Sequence, residues 1–289
     1  MTRALLAVLA AAALVVGATQ ASAAADHPKL AGVETFALAI GSDVLDAPPP
    51  QLARRLAGYD LVVLDGQEAT AADVRALRRG GARVLAYLSV GTIERPRPWY
   101  AAARRYRLEL WAEWGEWYAD TSAPGFRRLL ARRVAPAMLR KGFDGLFLDN
   151  TDMVEDHPPQ AAGMRALVAQ LARLVHGRGG VLAAQNGDRS VGRIARNLDA
   201  WNREDVSFTF DHDDDAYLAT APAERRRAVA ALRRMARRGV LTTATDYTAA
   251  GDGGAVAGAT RRACAASAMP FVSDIGLGRI PQPPLRCSG

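Results

Sequence analysis

Residues 142–152 read GFDGLFLDNTD, and this stretch decides the fold. It begins with a glycine that ends the arginine-rich run before it, continues through the apolar residues 146–148 and finishes in acidic and amide side chains. A near-continuous apolar run is typical of a parallel strand that is covered by helices on both faces. Asp149, at the carboxyl end of the strand, is therefore predicted to face a functional site. Asp144, at the opposite end, is predicted to cap a turn.

Strand-like apolar runs alternate with helical runs from residue 34 onward, which indicates βα units and a parallel sheet. Helical patterns occupy 71–79, 126–140, 164–178 and 223–238. A (β/α)8 barrel needs eight strands, so one of nine candidates is expected to be peripheral, and the runs at 117–120 and 271–275 are the weakest. The nine candidates are 36–40, 61–65, 84–90, 117–120, 146–149, 181–186, 200–204, 241–246 and 271–275.

The length and the amino terminus predict one exported domain. The chain has 289 residues, 49% of them hydrophobic, which suffices for one large barrel core. Residues 1–23 have the features of a cleaved signal peptide, with Arg3, an apolar run at 5–16 and an A-x-A site at 21–23. That run is shorter than the roughly 20 residues of a transmembrane helix. We expect a secreted or extracytoplasmic α/β barrel of the TIM type, spanning residues 24–289 without a membrane span.

Export bears on Cys264 and Cys287, which are the only two cysteines of the chain. An oxidising compartment permits a disulfide between a late helix and the tail. Closing a loop of this length would stabilise the fold by about 3 kcal/mol. The alternative is a pair of unpaired thiols.

The net charge of +7 comes from arginine, since Lys29 and Lys141 are the only lysines. The arginines alternate with apolar residues at helical spacing, for example at 127–133 and 225–238, which indicates the solvated faces of amphipathic helices. Zinc-finger, helix-turn-helix and aromatic RNA-binding motifs are all missing from the sequence. We therefore expect no nucleic-acid partner.

Carboxylates recur where the predicted strands end. A single one of them fits a helix cap, but five that converge on one rim would repel each other, and stability gives no reason to assemble them. Paired carboxylates are the equipment for cleaving a glycosidic bond, in which one protonates the leaving oxygen and the other is nucleophile or base. The five residues are Asp65, Glu94, Asp149, Glu204 and Asp246.

Aromatic side chains cluster near the same strand ends, where flat rings can stack on sugars. Four of the five tryptophans fall between residues 99 and 117, in a predicted loop. A place in the core is the alternative for each of them. The aromatic candidates are Tyr87, Trp99, Tyr100, Trp111, Trp114, Trp117, Tyr118, Trp201 and Tyr247.

Other site chemistries fit the sequence poorly. The four histidines show no zinc-binding spacing, and a G-x-S-x-G elbow is missing. The acidic run 211–215 lacks the glycine and the late glutamate of an EF-hand loop, so we interpret it as a solvated loop. No metal or other cofactor is expected.

Six motifs, in this order and spacing, resemble glycoside hydrolase family 114, whose characterised activity is endo-α-1,4-polygalactosaminidase. The resemblance covers residues 36–275, and it implies a (β/α)8 barrel, in agreement with the strand pattern. Relatives often carry an acidic residue directly after Ser89-Val90-Gly91, where this chain has Thr92. This difference is expected to alter a subsite or the choice of substrate. The motifs are VLAYLSVG at 84–91 with Glu94 and Arg97, WGEWYAD at 114–120, GFDGLFLDNTD at 142–152, QNG at 185–187, NRED at 202–205 and TDY at 245–247.

The resemblance implies that Asp149 and Glu204 are the catalytic pair. We assign Asp149 as nucleophile or base and Glu204 as the acid, its pKa raised by desolvation near Trp201. The substrate implied is a galactosamine-containing polysaccharide, a cationic polymer. The alternative is a secreted glycan-binding or cell-envelope protein on the same scaffold. The residues expected to bind substrate are Asp65, Tyr87, Glu94, Tyr118, Asn150, Asp152, Asn186, Asp246 and Tyr247.

Overall fold

The computed structural model describes residues 28–287. The predicted signal peptide, residues 1–23, lies outside this range, so its cleavage stays a prediction. Within the described range, each helix is too short or too polar to span a bilayer.

Thirteen strands and eight α-helices make up the regular structure of the described residues. A π-helical turn, Leu130–Val134, joins the helix Pro124–Leu129 to the helix Ala135–Leu139. The strands are β1 (Phe36–Leu38), β2 (Leu61–Asp65), β3 (Arg83–Ser89), β4 (Thr92–Ile93), β5 (Arg107–Trp111), β6 (Glu116–Ala119), β7 (Gly145–Asp149), β8 (Val181–Gln185), β9 (Ala200–Glu204), β10 (Phe208–Asp211), β11 (Ala216–Ala219), β12 (Leu241–Tyr247) and β13 (Met269–Ser273). The helices are α1 (Pro49–Arg55), α2 (Ala71–Arg79), α3 (Tyr100–Ala103), α4 (Pro124–Leu129), α5 (Ala135–Leu139), α6 (Ala161–His176), α7 (Pro222–Ala236) and α8 (Gly253–Ala265).

Eight of the strands form one parallel sheet in the order β1-β2-β3-β7-β8-β9-β12-β13. The first and last strands of this order lie side by side, and the rings of Phe36 and Phe271 are 6.1 Å apart. The sheet is thus nearly closed into a barrel with helices around it, which confirms the predicted fold class. The strands are buried on both faces, which explains their continuous apolar sequences.

Eight of the nine strand candidates are barrel strands, with boundaries displaced by up to two residues. The candidate at 117–120 is the peripheral one, because β6 pairs antiparallel with β4 and β5 in a separate sheet. The candidate at 271–275 belongs to the barrel as β13 and starts two residues earlier.

The deciding stretch forms β7 as predicted. Gly145 is required there, because a Cβ at this position would lie 1.8 Å from the carbonyl oxygen of Val181 on the neighbouring strand. At the entry end, the Asp144 carboxylate accepts the Val84 N–H at 2.9 Å and pairs with Arg78 at 3.2 Å. Asp144 therefore links two strands and a helix at the face opposite to Asp149.

Two β-hairpins project from loops at the carboxyl ends of the barrel strands. The first hairpin consists of β5 and β6 with the turn 112–115, and the second of β10 and β11 with the turn 212–215. In the second turn, Asp211 Oδ1 accepts the N–H groups of Asp213 and Asp214. The acidic run 211–215 is therefore a hairpin turn that one of its own carboxylates stabilises.

A disulfide joins Cys264 in α8 to Cys287 in the tail, with Cα atoms 5.4 Å apart, which confirms the predicted pairing. The tail also packs against the barrel through the Tyr59 hydroxyl, which donates to the Pro281 carbonyl oxygen at 2.7 Å. The disulfide thus fixes a tail that already crosses the base of the fold.

Candidate active site

Three neighbouring strands, β7, β8 and β9, end in the same local pattern. Each ends in a carboxylate or carboxamide side chain, and the next residue has a positive φ of 54° to 58°. Asn and Asp tolerate this left-handed conformation better than other residues with a Cβ, and it turns the chain sharply after each strand. The strand-end side chains therefore converge at the carboxyl rim. The three pairs are Asp149–Asn150, Gln185–Asn186 and Glu204–Asp205.

Asp149 accepts hydrogen bonds on both carboxylate oxygens. Oδ2 accepts the Tyr87 hydroxyl at 2.5 Å, and Oδ1 accepts the Gln185 amide at 2.6 Å and the Asn150 backbone N–H at 2.6 Å. Burial raises the pKa of Asp149, and these three donors oppose the rise because they stabilise the ionised form. Asp149 is thus a buried carboxylate whose charged form is well solvated by the protein.

Glu204 has a matching set of donors. The Tyr247 hydroxyl donates to Oε1, and the Asn186 amide donates to Oε2 at 2.7 Å. Burial and then the negative charge of Asp149 raise the pKa of Glu204 to about 8, with Asp205 adding to the rise. Glu204 is therefore protonated at neutral pH while it lies within electrostatic range of Asp149.

Trp201 fixes this arrangement from the core. Its side chain is fully buried, and the indole Nε1 donates to the Asn186 carbonyl oxygen at 2.8 Å. Trp99 is also buried. Both rings therefore lie in the core, which was the alternative for each aromatic candidate, and neither offers a face to a sugar.

Arg97 forms ion pairs with two of the predicted strand-end carboxylates. It lies 2.7 Å from Asp65 Oδ2 and 2.6 Å from Glu94 Oε2. Glu94 Oε1 is buried and has no hydrogen-bond partner among residues 28–287, and burial raises the pKa of Glu94 to about 7 despite the arginine. Glu94 is therefore a buried carboxyl group that Arg97 holds through its other oxygen.

Glu116 was not among the predicted site residues, although it lies inside the motif at 114–120. Burial raises the pKa of its carboxyl group, with a further contribution from Asp149, and the neighbouring Thr92 side chain opposes the rise. The Thr92 hydroxyl is also 2.5 Å from that of Ser89 and accepts from the Asn150 amide at 3.3 Å. The first hairpin thus places the carboxyl group of Glu116 next to Thr92.

A cleft of about 660 Å³ lies beside the pair, and its lining includes Asp152, Asn186 and Asp205. The size falls within the range of small-molecule sites. Burial, followed by the charge of Asp149, raises the pKa of Asp152 to about 7. Asp152 therefore faces the cleft next to a residue that holds Glu204.

The structure places Asp246 and Tyr118 in different surroundings. The Asp246 carboxylate accepts the N–H groups of Ser207 at 2.5 Å and Phe208 at 2.9 Å, so it anchors the root of the second hairpin. Tyr118 lies in β6, where its ring stacks on Trp111 at 5.4 Å. Among residues 28–287, no group of three His, Cys, Asp or Glu side chains is arranged to hold a metal ion.

Gln185 and Arg97 donate hydrogen bonds to Asp149 and Asp65, and neither was predicted as a site residue. Both lie within motifs at strand ends or just beyond them, so their position could have marked them as site residues. Their hydrogen-bond partners could not be predicted from the sequence, because the Gln185–Asp149 contact depends on the pairing of β7 with β8.

A nearly closed (β/α)8 barrel with hydrogen-bonded carboxylates at its carboxyl rim is the framework of a barrel hydrolase. The model of the family described as glycoside-hydrolase family GH114 matches residues 17–269. The chain belongs to this family, and it is a glycoside hydrolase by that membership. No curated protein matches the sequence.

Solved structures share the fold. The glycoside hydrolase domain of PelA from Pseudomonas aeruginosa is 24% identical with a TM-score of 0.71, over 85% of this chain and 95% of that one. Ega3 from Aspergillus fumigatus in complex with galactosamine is 18% identical with a TM-score of 0.65, over 88% and 96%. An α-galactosidase from Thermus thermophilus is 13% identical with a TM-score of 0.55, over 83% and 57%. These likenesses confirm the barrel domain.

Proposed function

We propose that this protein is an exported glycosidase that hydrolyses α-1,4 linkages within a galactosamine-containing polysaccharide, with Asp149 and Glu204 as the catalytic pair. The observation that carries the proposal is the matched environment of the two carboxylates. Each accepts a tyrosine hydroxyl and a side-chain amide at the end of a barrel strand. No structural requirement of the barrel accounts for two such buried acidic groups on one rim.

The two carboxylates suit different roles. With a pKa of about 8, Glu204 keeps its proton at neutral pH and is the general acid for the leaving oxygen. Asp149, held by three donors that favour its charge, is the nucleophile or the base for water. Environments that drive two acids toward different protonation states are the usual basis of such a division.

The substrate class follows from charge and from the family. Amino sugars with free amines are cationic near neutral pH, and Asp152 and Asp205 place carboxyl groups in the lining of the cleft. The lining of the cleft includes five acidic side chains and three arginines, so the cleft is net acidic on a chain that carries +7 as a whole. Ega3, which shares the fold, was solved with galactosamine. Export is supported by the disulfide, because such bonds persist in oxidising compartments.

The test is hydrolysis of a defined polymer by the purified protein. Partially deacetylated α-1,4-linked galactosamine polymer is incubated with the protein, and the released oligosaccharides are separated by size. Internal cleavage gives a ladder of oligomers. A fully acetylated polymer is the control for the free amines, and an α-1,4-glucan is the control for the type of sugar. Binding to the polymer without release at any pH from 4 to 8 would contradict the proposal and favour a glycan-binding protein on the same scaffold.

A further inference from the structure

Seven rings form a continuous aromatic belt, six of them in the two hairpins and the seventh, His157, in the segment between β7 and α6. Neighbouring ring centroids in the belt are 4.3 to 6.3 Å apart, within the range of aromatic contacts. The Trp111 and Tyr118 rings are nearly parallel, at 9°. In order, the belt consists of His157, Tyr118, Trp111, Trp114, His212, Phe210 and Tyr217.

The hairpins meet through side chains at their tips. The Trp114 ring lies 5.1 Å from the His212 ring, and Glu113 Oε1 lies 3.5 Å from His212 Nε2. The Trp114 side chain remains 48% exposed. The two hairpins share no backbone pairing, since β5 and β6 belong to one small sheet and β10 and β11 to another. A junction made of a few exposed side chains opens at low energetic cost.

The two ends of the belt lie near strands on opposite sides of the barrel. One end, His157, follows β7, whereas the other end, Tyr217, accepts the N–H of Ile275 just after β13. β7 is the fourth strand of the sheet and β13 the eighth, so they lie on opposite sides of an eight-stranded barrel. The first hairpin is also joined to the candidate site through Thr92, which pairs with Tyr118 and bonds to Asn150.

We propose that the two hairpins form a passage over the active site that binds a polysaccharide chain, which enters when the Glu113–His212 junction opens. Sugar rings stack on the aromatic belt, because the rings offer flat apolar faces that are partly exposed to solvent. A chain beneath the belt lies beside Asp149, to which the first hairpin is linked. This inference rests on the proposed function, and it adds the way in which a long substrate is held.

The passage is tested by joining the tips covalently. In the double variant Glu113→Cys/His212→Cys, a short bifunctional thiol reagent reacts only at the engineered positions, because the disulfide leaves no free thiol among residues 28–287 and the remainder of the sequence contains no cysteine. We expect the cross-link to slow hydrolysis of the long polymer by at least about tenfold, as a closed lid would. Hydrolysis of a small chromogenic α-galactosaminide should change by less than about twofold in the same sample. The two single-cysteine variants treated with the same reagent are the controls.

An unchanged rate on the polymer, or an equal loss on both substrates, would overturn the passage. A second measurement separates this inference from the proposed function. In an Asp149→Asn background, retention of the polymer is measured by affinity electrophoresis without any hydrolysis. Trp114→Ala should weaken retention by about threefold to tenfold, the range for one aromatic contact. Leu110→Ala is the control, because Leu110 is an apolar side chain of the same hairpin that is 51% exposed but lies outside the belt. This substitution should leave retention of the polymer unchanged. Equal effects of the two substitutions would contradict stacking on the belt.

Discussion

Gln185 and Asn186 are consecutive residues, yet each holds a different carboxylate of the proposed catalytic pair. The Gln185 amide donates to Asp149 at 2.6 Å, and the Asn186 amide donates to Glu204 at 2.7 Å. The division arises because Gln185 ends β8 whereas Asn186 adopts a left-handed conformation that redirects its side chain. The end of β8 thus sets the placement of both acids.

Asp149→Asn should abolish most of the activity and leave the fold intact. The substitution is nearly isosteric, and the strand-end side chain faces the rim. We expect kcat on the polymer to fall by at least about a hundredfold, the lower range for a lost acid or base. Initial rates and the thermal midpoint are measured together. Full activity would remove Asp149 from the mechanism.

Glu204→Gln should lose as much activity on the polymer but regain part of it on a substrate with a good leaving group. Such a substrate departs with little protonation, so the general acid is dispensable. The measurement is kcat for a dinitrophenyl glycoside relative to the polymer, with Asp149→Asn as the comparison. Rescue of Asp149→Asn in place of Glu204→Gln would reverse the two roles.

Glu204 also makes stability depend on pH. Its pKa of about 8 in the folded protein exceeds the ordinary value of 4.5, so between these values the folded state binds more protons than the unfolded state. Its contribution to stability therefore falls as pH rises from about 4.5 to about 8. Glu204→Gln should melt higher than the wild type at about pH 9, and the difference should vanish near pH 4. Glu68→Gln, at an exposed position, is the control. Equal midpoints of Glu204→Gln and wild type at the higher pH would contradict the raised pKa.

Tyr87→Phe should shift the pH profile toward higher pH. The Tyr87 hydroxyl stabilises the ionised form of Asp149, so its removal raises the pKa of that carboxyl, and the acidic limb of kcat/KM moves upward. A hydrogen bond to a charged group is worth about 1.5 kcal/mol or more, so its loss should be visible in the profile. Tyr59→Phe, which removes a hydroxyl bonded to Pro281, should leave the profile unchanged. Identical acidic limbs in wild type and Tyr87→Phe would show that this donor does not tune Asp149.

Reduction of the disulfide should lower the melting temperature. The Cys264–Cys287 bond closes a loop across a sequence separation of 23 residues, worth about 3 kcal/mol in the chain-entropy model. The oxidised, denatured protein should show no titratable thiol. The double variant Cys264→Ala/Cys287→Ala should melt like the reduced protein and be insensitive to reductant. Free thiols in freshly exported protein would contradict the bond.

The sequence by itself determined the barrel and the position of the acids along it. The apolar run 146–148 ending in Asp149 is a local pattern, and a strand buried on both faces leaves little choice of composition. The helices were predictable because each has a local amphipathic pattern. The disulfide was predictable because each cysteine has only one possible partner. That one of the nine candidates is peripheral was also predicted, because a barrel has eight places, but the sequence left 117–120 and 271–275 as equal candidates for it.

Only the tertiary structure decided which groups meet. Gln185 reaches Asp149 through strand pairing, Arg97 joins Asp65 to Glu94, and Trp114 touches His212, which lies far away in the sequence. Such contacts depend on the register and curvature of the closed sheet, which no local pattern encodes. The buried positions of Trp99 and Trp201 have the same origin, since an aromatic residue near a strand end packs inside or outside according to what the rest of the barrel places around it.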